Sequence, residues 1–258
     1  MNPLTYQLEL WHLPLVLCVG VLASIVNTLA GGGSILSLPL FIFLGMPQDF
    51  AHGTNRMGLI FGAGSASWTF YKQKYLRPRL LLPMLLPVGV GTALGTYLMM
   101  DLSDRYFNPI LAGVLLVLVF STKIKGEGES QGTGELKVSF VKAQLIFFGL
   151  GLYAGFIQVG AGLVMMFVFS RTLSLNVFQI NALKGFVGFF FLVLSFGLLL
   201  LNGKVILLLG IVFGVGSTIG GVLGTHLQIK KGIGWVRIAL KIAGGALALK
   251  LLWNSFGG

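Results

Sequence analysis

The chain has 258 residues, of which 55% are apolar or aromatic and only 10% are charged, and its mean hydropathy is +0.91. Soluble domains carry charge on about a quarter of their residues, so this composition excludes a soluble globular protein and indicates an integral membrane protein. The net charge of +11 comes from Lys and Arg that lie mostly in loops, as the positive-inside rule predicts. It therefore does not indicate nucleic-acid binding.

The first half of the chain begins with an apolar run that three glycines interrupt. Residues 13–30 have about the length of a membrane span, Gly31, Gly32 and Gly33 follow, and residues 34–44 are apolar but too short to cross a bilayer alone. Irregular backbone at membrane depth is tolerated only where it is buried in protein or lines a cavity. The pattern therefore predicts a broken helix or a re-entrant hairpin.

Residues 51–71, 80–100 and 106–120 are the next predicted spans. The first of them exits into KQKYLRPR, which has four basic residues and no acid, and this loop is the strongest cytoplasmic marker in the chain. The second contains GVGTALG, a small-residue run typical of close helix packing. Four polar residues stand near the start of the first span: His52, Thr54, Asn55 and Arg56.

A linker rich in Gly, Glu and Lys divides the chain into two parts. We expect a first transmembrane repeat at residues 1–122, a cytoplasmic linker at 123–138 and a second repeat at 139–258. The second part has the same order of features, because Gly160-Ala161-Gly162 follows its first span and GVGSTIG mirrors GVGTALG. Lys184 stands where the first copy has Arg56, near the predicted span at 186–201, and spans at 205–223 and 236–252 complete the pattern.

The basic loops indicate how the two repeats are oriented. The loop after the Arg56 span has four basic residues and its counterpart has one, whereas Arg105 alone corresponds to three basic residues, Lys230, Lys231 and Arg237. The basic side is therefore exchanged between the halves. This predicts an all-α membrane protein of two inverted-topology repeats, each a Gly-broken hairpin plus three transmembrane helices, with both termini outside. Such repeats are typical of transporters whose substrate site lies near the bilayer midplane.

The stretch AGGGSILSLPLFIFLGMPQDFAHGTNR, the later GVGTALG and their second copies resemble the TauE/SafE sulfite-exporter family of bacterial membrane permeases. The resemblance covers nearly the whole chain. It implies transport of small organic or sulfur-containing anions, such as sulfite, sulfonates or sulfoacetate, across the bacterial cytoplasmic (inner) membrane. The second copy differs from the first in having Gly-Ala-Gly for the glycine run and no Pro matching Pro39.

Arg56 and Lys184 are the sharpest candidates for substrate contact. A cation inside a membrane segment costs about 2.5–3.5 kcal/mol on insertion scales and normally faces a cavity or a partner, and no carboxylate lies within a helical turn of either residue. The alternative is that both side chains extend to an interface as topology anchors. Backbone N–H groups at the glycines suit an anion as well. The remaining candidates are Asn27, Gly31, Gly32, Gly33, His52, Thr54, Asn55, Gln158, Gly160, Gly162 and Asn181.

The acidic residues bear on the direction of transport, because all seven lie at or outside the ends of the predicted spans. No carboxylate lies deep in the membrane to couple sodium or protons. Export of a monoanion from a negative-inside cell needs no such coupling, because the membrane potential already favours it by about 2.3 kcal/mol per 100 mV. A proton-coupled importer and a non-transporting membrane scaffold stay open as alternatives. We expect no enzyme activity, because the chain has no nucleophile–base set. We also expect no cofactor and no nucleic-acid partner. The expected partners are a small anionic substrate and the lipid bilayer, and a homodimer stays open.

Overall fold

The computed structural model describes residues 9–75, 82–102, 110, 113 and 133–231. The predicted span at 106–120 is described only at residues 110 and 113, and the one at 236–252 lies outside the described residues. All regular elements of the described part are helices. They are α1 (His12–Ala30), α2 (Ser34–Phe43), α3 (Gln48–Lys72), α4 (Leu82–Asp101), α5 (Phe140–Phe156), α6 (Ala161–Thr172), α7 (Val177–Leu201) and α8 (Leu207–Lys231).

Helices α1, α4, α7 and α8 are long and apolar enough to cross a membrane. Their outward faces are apolar too: on α4, large side chains are exposed at every fourth position, at Leu82, Leu86, Val90, Leu94 and Leu98. A continuous apolar stripe of this kind is rare on a soluble monomer and is what a lipid-facing helix presents. The prediction of an all-helical membrane protein is therefore confirmed.

Both predicted breaks occur at glycine. Helix α1 ends before Gly31, and α6 is preceded by Gly160, and both glycines have left-handed backbone conformations with φ of 77° and 71°. At Gly31 this conformation is a common helix stop, because glycine has no Cβ to clash. In the second break α5 ends earlier, at Phe156, and Gln158 is also left-handed with φ of 64°. Each half therefore begins with an interrupted helix, α1 and α2 in the first and α5 and α6 in the second.

The first helix of each half packs against the last described helix of the other half. Helix α8 places Gly216 and Gly220 against the α1 backbone at Leu17 and Val21, and the order of these contacts shows that the two helices run parallel. Helix α4 approaches α5 in the same way, with Gly91 and Gly95 against the backbone of residues 148–156. The small-residue runs thus serve the close helix packing that their spacing predicts.

Helices α3 and α7 are the long central helices, and they run antiparallel. The start of α3 lies beside the end of α7, where Asp49 and Lys204 form an ion pair of 2.7 Å. The other end of α3 lies beside the start of α7, where the rings of Tyr75 and Phe178 stack with centroids 5.3 Å apart. Helix α3 packs against α7, α8 and the first broken helix, and the polar residues of its first turns, His52, Thr54, Asn55 and Arg56, are buried.

Candidate functional site

A cavity lies between the two breaks and the central helices. Its volume is about 40 Å³, room for about three water molecules. Lys184 is the only charged residue among the described residues that line it. The lining residues are Asn27, Thr28, Gly31, Ser34, Leu59, Ala63, Ala66, Phe70, Gln158, Ala161, Gly162, Met165, Asn181, Lys184, Gly185, Gly188, Phe191 and Leu192.

Lys184 lies two turns inside α7 and is only 5% exposed. Its ammonium donates hydrogen bonds to the backbone carbonyls of Asn27 at 3.1 Å and Thr28 at 2.9 Å, in the last turn of α1. A cation at a helix C-terminus is stabilised by the unpaired carbonyls and the helix dipole. The third contact, with the Met166 sulfur at 3.9 Å, is weak because a thioether is a poor acceptor. One N–H of the ammonium is therefore open to a better acceptor.

Arg56 lies two turns inside α3 and is fully buried. Its Nη2 donates a hydrogen bond to the Gly155 carbonyl, in the last turn of α5. Arg56 is not among the residues that line the cavity. Neither the Arg56 nor the Lys184 side chain extends to the surface of the described structure, an arrangement that favours contact with an internal partner over the alternative of interfacial anchors.

The two cations make reciprocal contacts. Arg56 and Lys184 are 128 positions apart, and their carbonyl partners Gly155 and Asn27 are also 128 positions apart. Each half therefore supplies the cation that caps the broken helix of the other half. The arrangement relates the two halves by contacts as well as by sequence order.

The broken helices bring two helix N-termini to the same region. Helix α2 is preceded by Gly33 and α6 by Gly160, and neither N-terminus has a side-chain cap. The first N–H groups of a helix have no partner within the helix, and they carry the positive end of its dipole. Ser34 and Ala161, the first residues of these helices, both line the cavity. The cavity is therefore lined by the first residues of two helices and by Lys184, together with Asn27 and Thr28 from the C-terminal end of α1.

The glycines have separate places around this centre. Gly31 and Gly162 line the cavity and face each other, since a Cβ on Gly162 would lie 2.6 Å from the Gly31 carbonyl oxygen. Gly33 lies against the Ala23 carbonyl, and the carbonyls of Gly32 and Gly160 accept bonds from the first turns of α2 and α6. Only two of the five predicted glycines thus line the cavity.

The predicted polar residues fall into two groups. Asn27, Gln158 and Asn181 line the cavity with Lys184. Thr54 and Asn55 lie elsewhere: the Thr54 hydroxyl accepts a bond from the Ile206 N–H, and the Asn55 side chain accepts one from the Ser37 hydroxyl at 2.5 Å. The last residue, His52, is fully buried beside Gln158 and Arg56.

Thr28, Ser34 and Gly155 are parts of the site that sequence reasoning did not identify. Thr28 contributes a carbonyl to Lys184, Ser34 lines the cavity, and Gly155 accepts from Arg56. A backbone carbonyl leaves no mark on the sequence. Gly155 and Ser34 had a usable signal in a chain that repeats every 128 positions, because Gly155 stands 128 positions after Asn27 and Ser34 stands 128 positions before Gly162.

Comparison with known proteins agrees with a membrane protein. The chain is 29% identical to a "Probable membrane transporter protein" of Haemophilus influenzae, over 94% of this chain and 95% of that protein. It is 27% identical to "Probable membrane transporter protein ORF9" of a Sinorhizobium species, over 90% and 88% of the two chains. For "Probable membrane transporter protein YfcA" of Escherichia coli K12 the identity is 25%, over 93% and 89%. No solved structure gives a significant match.

A family model described as "Sulfite exporter TauE/SafE" matches residues 16–251. This match includes nearly all of both broken helices, both buried cations and the residues that line the cavity. The relatives above are named as probable membrane transporters, and the alignments cover 88–95% of their length. The chain therefore belongs to the TauE/SafE sulfite exporter family of membrane proteins.

Proposed function

We propose that this protein carries a small anion across the membrane through the cavity between the two helix breaks. The observation that carries the proposal is Lys184: a buried cation on a cavity that no described carboxylate lines. Two of its N–H groups are held by carbonyls, and the remaining one faces only a thioether. An anion would supply the missing counter-charge, and the two uncapped helix N-termini would add to its stabilisation.

The proposed substrate is a small sulfur oxyanion, with sulfite ahead of larger sulfonates such as sulfoacetate. The family description supports sulfur oxyanions. The size of the cavity, about 40 Å³, favours the smallest member of that class. We propose export or facilitated diffusion, because a monoanion leaves a negative-inside cell downhill by about 2.3 kcal/mol per 100 mV. Proton-coupled import, with His52 or Asp49 as the coupling group, is the competing direction.

We also propose that the two halves are inverted repeats in the inner membrane, with both termini outside. Three observations support this orientation. Helices α3 and α7, the equivalent long helices, run antiparallel. The cation of each half caps the equivalent carbonyl of the other. The basic loops change side between the halves. Inverted repeats with broken helices at the midplane are a common transporter design.

The experiment is a thermal-shift series on the full chain in detergent. Sulfite, thiosulfate, sulfoacetate, taurine, sulfate and small carboxylates are tested against the wild type, Lys184→Gln and Lys142→Gln. Lys142 is an exposed lysine near the start of α5 and serves as the matched control. We expect sulfite to raise the melting temperature of the wild type and the control but not of Lys184→Gln. A ligand at 100 times its dissociation constant adds about 2.7 kcal/mol.

Equal shifts in the wild type and Lys184→Gln would contradict a Lys184-centred site. The direction is tested separately by loading proteoliposomes with radiolabelled sulfite and imposing a membrane potential. Efflux that rises with an inside-negative potential and does not respond to a pH gradient supports the exporter. Uptake driven by an inward proton gradient would establish the importer instead.

A further inference from the structure

The Arg56 guanidinium has hydrogen-bond donors that no described contact satisfies. The side chain is fully buried, and only its Nη2 has an acceptor, the Gly155 carbonyl. Within the described residues, Nε and Nη1 have no hydrogen-bond acceptor, and the one ion pair found there joins Lys204 to Asp49. A buried cation with open donors is costly. Besides the Gly155 carbonyl, Arg56 therefore needs a further acceptor for Nε and Nη1, which the described part of the chain does not supply.

The position of Arg56 indicates what kind of acceptor this is. By contact it is the counterpart of Lys184, because each cation caps the equivalent carbonyl of the opposite half. Lys184 faces an open cavity, whereas Arg56 does not. Gln158 connects the two regions, since it lines the cavity and its side chain lies against His52, one helical turn before Arg56.

We propose that Arg56 is the centre of a second anion site, separate from the Lys184 cavity, which takes a small oxyanion through the free Nε and Nη1 donors. The proposal rests on the proposed function, because the ligand is of the same class as the transported anion. A guanidinium suits an oxyanion, since its planar N–H groups match several oxygens at once. The protein thus has two anion positions, with Gln158 between them.

The two positions differ in accessibility. Lys184 faces a cavity in this conformation, whereas Arg56 is fully buried and does not line that cavity. An anion at Arg56 can bind only when another, less populated conformation forms. Its apparent affinity is then the intrinsic affinity multiplied by the fraction of molecules in that conformation. The Arg56 site is therefore the weaker of the two.

The test is saturation binding of radiolabelled sulfite to the full chain in detergent. The proteins compared are the wild type, Lys184→Gln, Arg56→Gln, the double variant and Arg171→Gln. Arg171 is an exposed arginine at the end of α6, and its replacement controls for the loss of one positive charge. We expect two sulfites per wild-type chain, bound in a tighter and a weaker phase. Lys184→Gln loses the tighter phase, Arg56→Gln loses the weaker phase, the double variant loses both, and the control keeps both.

One sulfite per wild-type chain, lost in Lys184→Gln and kept in Arg56→Gln, would overturn the second site and leave the proposed function standing. Absence of sulfite binding to a folded wild type would overturn both. If Arg56→Gln fails to fold, Arg56→Lys decides the question, because it keeps the charge and the bond to Gly155 but loses the planar donors. We expect it to weaken the second phase about tenfold or more. An unchanged second phase would overturn the site.

Discussion

Thr54 is a buried hydroxyl on the polar face of α3, and its partner lies in another part of the chain. The hydroxyl oxygen accepts a hydrogen bond of 3.0 Å from the backbone N–H of Ile206, just before α8. Without this acceptor the Ile206 N–H would be unpaired in a partly buried position. Such a group costs about 1–3 kcal/mol. Thr54 therefore contributes to the position of α8, and the described contacts give it no direct place at the cavity.

We predict that Thr54→Val lowers the free energy of unfolding by about 1–2 kcal/mol and leaves sulfite affinity within about twofold of wild type. Valine keeps the shape of the side chain and removes only the acceptor. Thr69→Val on the same helix is the control, because the Thr69 hydroxyl only bonds back to the Ser65 carbonyl one turn earlier. Melting temperature and sulfite binding are measured for both variants. A large loss of affinity in Thr54→Val at unchanged stability would show direct ligand contact instead.

At the scale of elements, the fold depends on two parallel helix pairs that join the halves. In the α4–α5 pair, glycines on both helices bring the two backbones together, and a Cβ at Gly151 would overlap the Val88 carbonyl. Gly149 lies on the same helix, and nothing would lie within 4 Å of a Cβ there. The two glycines lie on the same helix, but Gly151 is buried against α4 and Gly149 is exposed.

We predict opposite effects for alanine at these two positions. Gly151→Ala should destabilise the protein by about 1–3 kcal/mol, because the backbones must separate. Gly149→Ala should be neutral or stabilising by up to about 1 kcal/mol, because alanine is the better helix former. Thermal unfolding in detergent measures both. Equal effects of the two changes would mean that the α4–α5 contact is not as close as described.

The sequence predicted the bounds of a helix well where the whole helix is apolar. Predicted spans at 13–30 and 80–100 correspond to α1 and α4 within two residues. The span predicted at 186–201 begins nine residues later than α7, which starts at Val177. The hydropathy pattern missed this start because the first turns of α7 carry buried polar residues. A signal was present: Asn176 and Gln179 form a reciprocal capping box, which is a sequence pattern for a helix start.

The site was predicted less completely, for a physical reason. Buried cations are rare in membrane segments, so Arg56 and Lys184 stood out from the sequence. Their partners are backbone carbonyls 99 and 157 residues away in the chain, and any residue type carries a carbonyl. The cavity wall likewise depends on which face of each helix is turned inward. Only the tertiary structure assigns Lys184 to the cavity and Arg56 to the enclosed region.

At the scale of the whole molecule, the orientation in the membrane gives a test that is independent of any ligand. The proposed topology places the linker inside and the loop between α7 and α8 outside. Single cysteines are introduced at Thr133 and at Asn202, both exposed, in a Cys18→Ser background. In intact cells, a membrane-impermeant maleimide should label Asn202→Cys but not Thr133→Cys, and permeabilised cells should show labelling of both. The reverse pattern, or labelling of both in intact cells, would contradict the topology.

The reciprocal capping by Arg56 and Lys184 has the form of contacts in a twofold symmetric dimer. In such a dimer residue i of one subunit meets residue j of the other, and j meets i. Here the same rule holds within one chain, between positions 56 and 155 and between 184 and 27. A single chain, unlike a symmetric dimer, can place different residues at the two equivalent positions. This protein has a guanidinium at one position and an ammonium at the other. The two proposed anion positions are therefore free to differ in which anion each would hold and how tightly.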